Sequence, residues 1–320
     1  LVKALKKEFD IPNLCLAGGV ALNCVVNGKI LKENIFENIW IQPAAGDAGG
    51  SLGAALALWH IDQNKPRTVS LNDDMQGSFL GPEYNQKQIE NELDKMGAVY
   101  QIKNEEDLLN QTADDLSKGD AIGWFQGRME FGPRALGNRS ILGDPRSSKM
   151  QKNLNLKVKY RESFRPFAPS VLRENLTEWF DINIDSPYML MVSNINNDKI
   201  IKMNEEQKKL FGIDKLNVKR SEIPAVTHVD YSARIQTVHK ETNEKYFKLI
   251  KKFKEKTDCP VIVNTSFNVR GEPIVNTPLD AFNCFMGTEL DKLIIGNCYL
   301  EKNKQDISLK KDYSKEFELD

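Results

Sequence analysis

"AIGWFQGRMEFGPRALGNRSIL", residues 121–142, begins as an apolar strand, passes through a run of glycines and a proline, and ends in short aliphatics. Strands that leave into such loops, alternating with helical stretches, are the pattern of an α/β fold. The neighbouring sequence repeats the alternation. "QKQIENELDKMG" spaces Ile89, Leu93 and Met96 as a helix, "AVYQIK" reads as a strand, and "EEDLLNQTADDLSKG" reads as a second helix. Downstream, "NEKYFKLIKKFKEKTD" is an amphipathic helix and "CPVIVNTSFN" a buried strand running into a polar loop. "NTPLDAF" then opens a helix, with Thr277 as cap, Pro278 in its first turn and Asp280 in the capping-box position.

Before residue 70 a second α/β unit is visible. "NLCLAGG" (13–19) and "NIWIQP" (38–43) read as strands around a helix, and Leu52, Ala55, Leu56 and Trp59 lie at helical spacing behind three glycines. Residues 60–84 lose periodicity and collect Asn, Asp, Pro and Gly, so the expected boundary falls near 70, dividing the chain into 1–70 and 71–320. The charged stretch 194–222 reads as a solvated insertion, with a mobile lid as the alternative, and the charged tail after Lys302 reads as peripheral. The chain starts at Leu1 within a helix-then-strand pattern, so it is expected to be a fragment of a longer protein.

Forty-four basic residues balance forty-five acidic ones, for a net charge of −1, so no global field draws the chain to nucleic acid or a membrane. Cys15, Cys24, Cys259, Cys284 and Cys298 form no CxxC pair and are expected to be buried free thiols. With no apolar run near the ~18 residues of a membrane span, the expectation is a soluble, cytoplasmic protein.

Within this balanced chain, eleven lysines and arginines face three acids between Arg128 and Arg173. Several lie beside Gly, Pro and Phe, as in "FGPRALG" and "SFRPFAP", where a mixed-charge helical surface is not expected. A guanidinium among apolar groups calls for an anion, and its planar fork matches phosphate or carboxylate. Ser266 and Asn268, at the exit of the strand in "VNTSFN", are placed to complete such a cradle. A solvated face and a nucleic-acid site are the alternatives; the latter lacks aromatic interleaving.

The ordered set "GGVALN", "GDAGGSLGAA", "GRMEFGPRALGNRSIL", "YRESFRPFAPSVL", "HVDYSARIQTV" and "VNTSFNVRGEPIV" resembles the O-carbamoyltransferases of nodulation-factor and antibiotic biosynthesis, over nearly the whole chain. The resemblance implies the end of an actin-like ATPase (ASKHA) segment, followed by an α/β domain like threonylcarbamoyl-adenylate synthases (YrdC-like). It further implies a reaction in which carbamoyl phosphate and ATP give carbamoyl-adenylate and pyrophosphate, and the carbamoyl group passes to a hydroxyl of a sugar or natural product. The substrates are then small molecules, with Mg2+ accompanying the nucleotide and Fe2+ or another divalent metal in the complete protein. No nucleic-acid or membrane partner is implied, and a homodimer is allowed.

By matching motifs, Arg134, Arg139, Lys159 and Arg165 are implied to be catalytic, and with Arg234, Ser266 and Asn268 to bind carbamoyl phosphate and nucleotide. Gly18, Gly19 and Asn23 match a second nucleotide loop, and Asp47 a metal ligand or, alternatively, a helix cap. The family's other metal ligands are upstream histidines; His60, His228 and His239 form no HxxxH pair. Arg128 reads either as an anion ligand or as a loop clamp paired with Glu130 or a carbonyl, while Phe131, Pro133 and Phe167 read as packing residues. The chain is expected to carry out activation only. The rival readings are an actin-like kinase or ATPase, suggested by "GGVALN", and a nucleic-acid-binding module.

Overall fold

A computed structural model describes residues 1–70 and 73–313. Leu71 and Asn72, at the expected boundary, and the chain end 314–320 lie outside the described residues.

The alternation of elements folds into one large mixed sheet and one small one. Strands β1 (Asn13–Leu16) and β2 (Asn38–Ile41) pair in parallel. The other nine are β3 (Gln101–Ile102), β4 (Ile122–Phe125), β5 (Arg139–Gly143), β6 (Ala168–Leu172), β7 (Met191–Asn194), β8 (Ser232–Val238), β9 (Val261–Ser266), β10 (Lys292–Ile295) and β11 (Cys298–Glu301). They form a sheet in the order β3-β11-β10-β4-β5-β9-β6-β8-β7, in which only β10–β4 and β6–β8 are parallel. The expected strand over 98–103 shrinks to Gln101 and Ile102 at the sheet edge, where both side chains are exposed and packing contributes little.

Helices Glu105–Lys118 and Glu244–Thr257 pack on each other, burying Leu108, Leu109, Leu116, Tyr246, Leu249 and Phe253. Their exposed edges are joined by Lys248–Glu105 and Lys252–Glu106 pairs at 2.9 and 2.6 Å. The Thr277 capping box forms as expected, with Pro278 opening the helix Pro278–Gly287. The tail is less peripheral than its charge suggests. Tyr313 is buried on Gly287, where an added Cβ would meet its ring at 2.3 Å, and Lys302 donates to the Thr288 carbonyl at 2.9 Å. The stretch 194–222 carries two short, exposed helices, Glu205–Lys209 and Gly212–Leu216, and is tied back by an Ile200–Ser221 bridge. Cys259, Cys284 and Cys298 are buried as expected, but Cys15 is exposed and Cys24 half-buried; all five are free.

The N-terminal segment docks on β7, the strand at one edge of the large sheet. Helix Cys24–Lys32 crosses β7 so closely that a Cβ on Gly28 would lie 2.2 Å from the Val192 carbonyl oxygen, and Asn27 donates to the carbonyls of Leu190 and Ala21 at 2.9 and 2.8 Å.

The 126–138 loop between β4 and β5 is fixed from inside. Trp124 Nε1 donates to the Gly137 carbonyl at 2.8 Å, and Gly137 adopts φ 111°, with the Tyr246 ring 2.4 Å from where a Cβ would sit. Both the left-handed backbone and the ring contact require glycine. Gly137→Ala should therefore cost about 3 kcal/mol from strain and overpacking. Urea unfolding is expected to show a lower midpoint with an unchanged slope.

Candidate functional site

At one end of the sheet β9 finishes while β5, β6 and β8 begin, since β9 runs antiparallel to β5 and β6 and β8 runs parallel to β6. A cavity of about 390 Å3 opens there. Four arginines line it: Arg134 from the β4–β5 loop, Arg161 and Arg165 from the loop before β6, and Arg234 from β8. Thr265 and Ser266 at the end of β9, His228 and Cys24 complete its polar wall, with Phe167, Met189 and Pro133 among the apolar groups. No carboxylate is among the lining residues.

Each arginine is held so that donors remain free. Arg134 reaches only the Leu22 carbonyl, at 3.4 Å, and its buried Nε has no hydrogen-bond partner among the described residues. Arg161 donates Nε to Asn155 Oδ1 at 2.7 Å and lies 5.1 Å from the Phe167 ring centre, which sets its orientation. Arg234 has no protein hydrogen bond or ion pair for its guanidinium among the described residues. Arg165 stands at the mouth, 45% exposed and 2.9 Å from Glu162. Burial pulls the guanidinium of Arg234 down to about 10, with Arg134 and Arg161 adding like-charge repulsion, and burial followed by Arg165 does the same for Arg161. Burial also lowers Arg134. All stay cationic at neutral pH, so the cavity concentrates positive charge that an anion would neutralise.

Other expected site residues take supporting positions. Arg139 is fully buried outside the cavity lining: it donates to the carbonyls of Gln126, Gly127, Asn138 and Pro82, from 2.6 to 3.3 Å, and stacks 3.6 Å from the Phe125 ring centre. Its two Nη groups are used on loop carbonyls that would otherwise be unpaired, while its Nε has no hydrogen-bond partner among the described residues, so the structure places Arg139 behind the cavity and not in its lining, where a ligand-binding role was expected. Lys159 and Asn268 likewise lie behind the wall. The Lys159 ammonium donates to Asn268 Oδ1 at 2.7 Å, to the Asn268 carbonyl at 2.9 Å and to Ser266, fixing the turn that presents Ser266. Arg128 clamps the loop at the Gly81 carbonyl and faces Glu83 at 3.6 Å rather than Glu130. Glu130 instead accepts from the backbone N–H of Leu136 and Asn138 at 2.7 and 2.9 Å.

In the N-terminal segment, Asn23 spends its side chain on capping the helix Cys24–Lys32, accepting from Val26 N–H at 3.2 Å. Gly18, at φ 95°, and Gly19 shape the exposed turn before it. Asp47 lies on an exposed turn and caps nothing, because the helix Gly49–Ala57 starts from Ala48 without a side-chain cap. Among the described residues no group of three His, Cys, Asp or Glu side chains is arranged to hold a metal, so these residues do not by themselves fit the implied metal centre. Arg161, His228 and Cys24 were not among the expected site residues. Arg161 shares a loop with Arg165, two residues after Lys159, a signal that was open to reading; Cys24 reaches the cavity only through tertiary docking.

The motifs that build this cavity lie within a region, residues 113–302, that matches the family model described as Carbamoyltransferase C-terminus, and residues 1–56 match Carbamoyltransferase N-terminus. The chain belongs to the carbamoyltransferase family. An uncharacterized protein of Synechocystis sp. is 56% identical over 317 residues, covering 98% of this chain and 52% of that protein. Nodulation protein NolO of Bradyrhizobium diazoefficiens is 42% identical over 93% of this chain and 50% of its own length. Nodulation protein U of Rhizobium fredii is 30% identical over 81% and 38%. The chain thus spans about half the length of these relatives. Among the described residues no helix is long and apolar enough to cross a membrane.

The buried lysine gives a pH test. Burial lowers the Lys159 ammonium from 10.5 to about 7, so between those values the unfolded chain holds a proton that the native protein has released. Stability from this residue therefore rises with pH from about 7 towards 10.5. Lys159→Met should flatten that rise in urea unfolding measured from pH 6 to 10. It should also cost about 2–4 kcal/mol at neutral pH by leaving the Ser266 and Asn268 acceptors unpaired.

Proposed function

We propose that this chain carries the activation site of an ATP-dependent O-carbamoyltransferase, with the four-arginine cavity as the place where phosphorylated substrates meet. In this reading, residues 71–320 form the unit like threonylcarbamoyl-adenylate synthases, and 1–70 belongs to an actin-like unit. The observation that carries the proposal is the convergence of Arg134, Arg161, Arg165 and Arg234 on one open cavity with no lining carboxylate. Such a site suits two anions better than one, because a single phosphate is satisfied by fewer guanidinium forks.

The proposed chemistry balances as follows. Water displaces inorganic phosphate from the carbonyl carbon of carbamoyl phosphate, leaving carbamate. A carbamate oxygen attacks the α-phosphorus of ATP, the bond to the β-phosphate oxygen breaks, and carbamoyl-adenylate and pyrophosphate result. The arginines offset the repulsion between the two substrates and the charge that builds around the α-phosphorus. Ser266, whose hydroxyl accepts from Lys159 and donates to Asn268 Oδ1, is held at the strand end that borders the cavity. Mg2+ would accompany the nucleotide. Transfer to a hydroxyl acceptor, a metal near Asp47, a nucleotide at Gly18, Gly19 and Asn23, and a homodimer belong to the same reading of the whole protein.

The test is pyrophosphate release from ATP by this chain. It should require carbamoyl phosphate, and release that is absent, or unaffected by omitting carbamoyl phosphate, would refute the reading. Arg165→Lys should weaken binding of carbamoyl phosphate or nucleotide by about 1.5–3 kcal/mol, since an ammonium lacks the two-pronged contact. Calorimetry giving unchanged affinity for both would exclude Arg165 from the site.

A further inference from the structure

The cavity contains one basic side chain that is not a fixed cation. His228 lines it from a turn closed by two backbone bonds, His228 N–H to the Ser232 carbonyl at 2.8 Å and Tyr231 N–H to the His228 carbonyl at 3.1 Å. Its Nδ1 lies 3.0 Å from Ser232 Oγ, and Ser232 Oγ lies 2.6 Å from Asp230 Oδ1. The hydroxyl has one proton, and only the carboxylate contact must receive it. Ser232 Oγ therefore accepts from the imidazole, which puts the ring proton on Nδ1 and leaves Nε2 with a lone pair. Nε2 has no hydrogen-bond partner among the described residues. Burial, with Arg234 and Arg220 opposing Asp230, lowers the ring below its ordinary value and keeps it neutral.

The surrounding groups are mainly donors. The four guanidiniums can only donate, and the Ser266 hydroxyl is committed to Asn268 Oδ1 at 2.7 Å while accepting from Lys159. Guanidiniums alone would bind any acyl phosphate. An amino group has N–H donors that they cannot accept.

We infer that His228 Nε2 accepts a hydrogen bond from the NH2 group of the carbamoyl substrate and so makes the site select carbamoyl phosphate over acyl phosphates with a methyl group in that position. This rests on the four-arginine cavity being the carbamoyl phosphate site. Asp230 and Ser232 act as positioning residues that fix the ring tautomer. A site built to receive a substrate N–H discriminates against the isostere lacking it, because its own polar group is then left unpaired.

The probes are carbamoyl phosphate, acetyl phosphate and inorganic phosphate, titrated calorimetrically into the wild-type chain, His228→Phe and His228→Gln. Wild type should prefer carbamoyl phosphate to acetyl phosphate at least tenfold. His228→Phe should lose that preference while changing acetyl phosphate affinity less than twofold, and His228→Gln, whose side-chain carbonyl can accept, should keep part of it. An affinity ratio that is the same in wild type and His228→Phe overturns the inference while leaving the anion site intact. Binding of none of the three phosphates to wild type overturns the site assignment itself, and this inference with it.

Discussion

Everything at the site depends on how the β4–β5 loop keeps its backbone satisfied while it is buried. Arg139 and Glu130 do this from opposite sides, the guanidinium taking up loop carbonyls and the carboxylate taking up loop N–H groups. A second buried network fastens the same loop to the sheet: Gln236 donates to the Leu136 carbonyl at 2.8 Å, Asn264 donates to Gln236 Oε1 at 2.9 Å, and Ser170 closes the set at 2.5 Å. Strands β6, β8 and β9 thereby hold Arg134 at the cavity. These bonds favour one arrangement of the loop, because an alternative would leave their donors and acceptors without partners; Glu130 Oε2, Arg139 Nε and Asn264 Oδ1 are the buried atoms of this set that have none among the described residues.

Against that rigid frame, the cavity is electrostatically unsatisfied. Among the described residues the guanidinium of Arg234 and the Nε of Arg134 have no hydrogen-bond partner; burial depresses Arg134, Arg161 and Arg234, and neighbouring arginines add to this for the last two. A structure selected for stability alone would place a carboxylate among them, as it does for the exposed pair Arg173 and Asp185. Leaving donors open is the usual condition of a preorganised binding site.

Much of this was legible in residue order. The alternation of strands and helices, the capping box at Thr277 and the local excess of cations all appear as expected. The division of labour among the cations was not legible, because a motif shows which arginines share a loop but not which way each side chain turns. Arg134 and Arg139 sit five residues apart in one motif, yet one faces the cavity and the other a nest of carbonyls. Lys159 and Arg161, two residues apart, split in the same way. Asn23 and Asp47 show a different limit: a short polar side chain near a glycine turn serves as a cap or a solvated group as readily as a ligand contact, and only the fold separates these roles.

The most direct test of the central claim is a crystal structure of this chain with carbamoyl phosphate and a nonhydrolysable ATP analogue. The account predicts phosphate density within hydrogen-bonding distance of Arg134, Arg161 and Arg234, with Arg165 turned from Glu162 towards it, and Arg139 unmoved in its carbonyl nest. Both ligands bound elsewhere, with the four-arginine cavity holding only solvent, would contradict it.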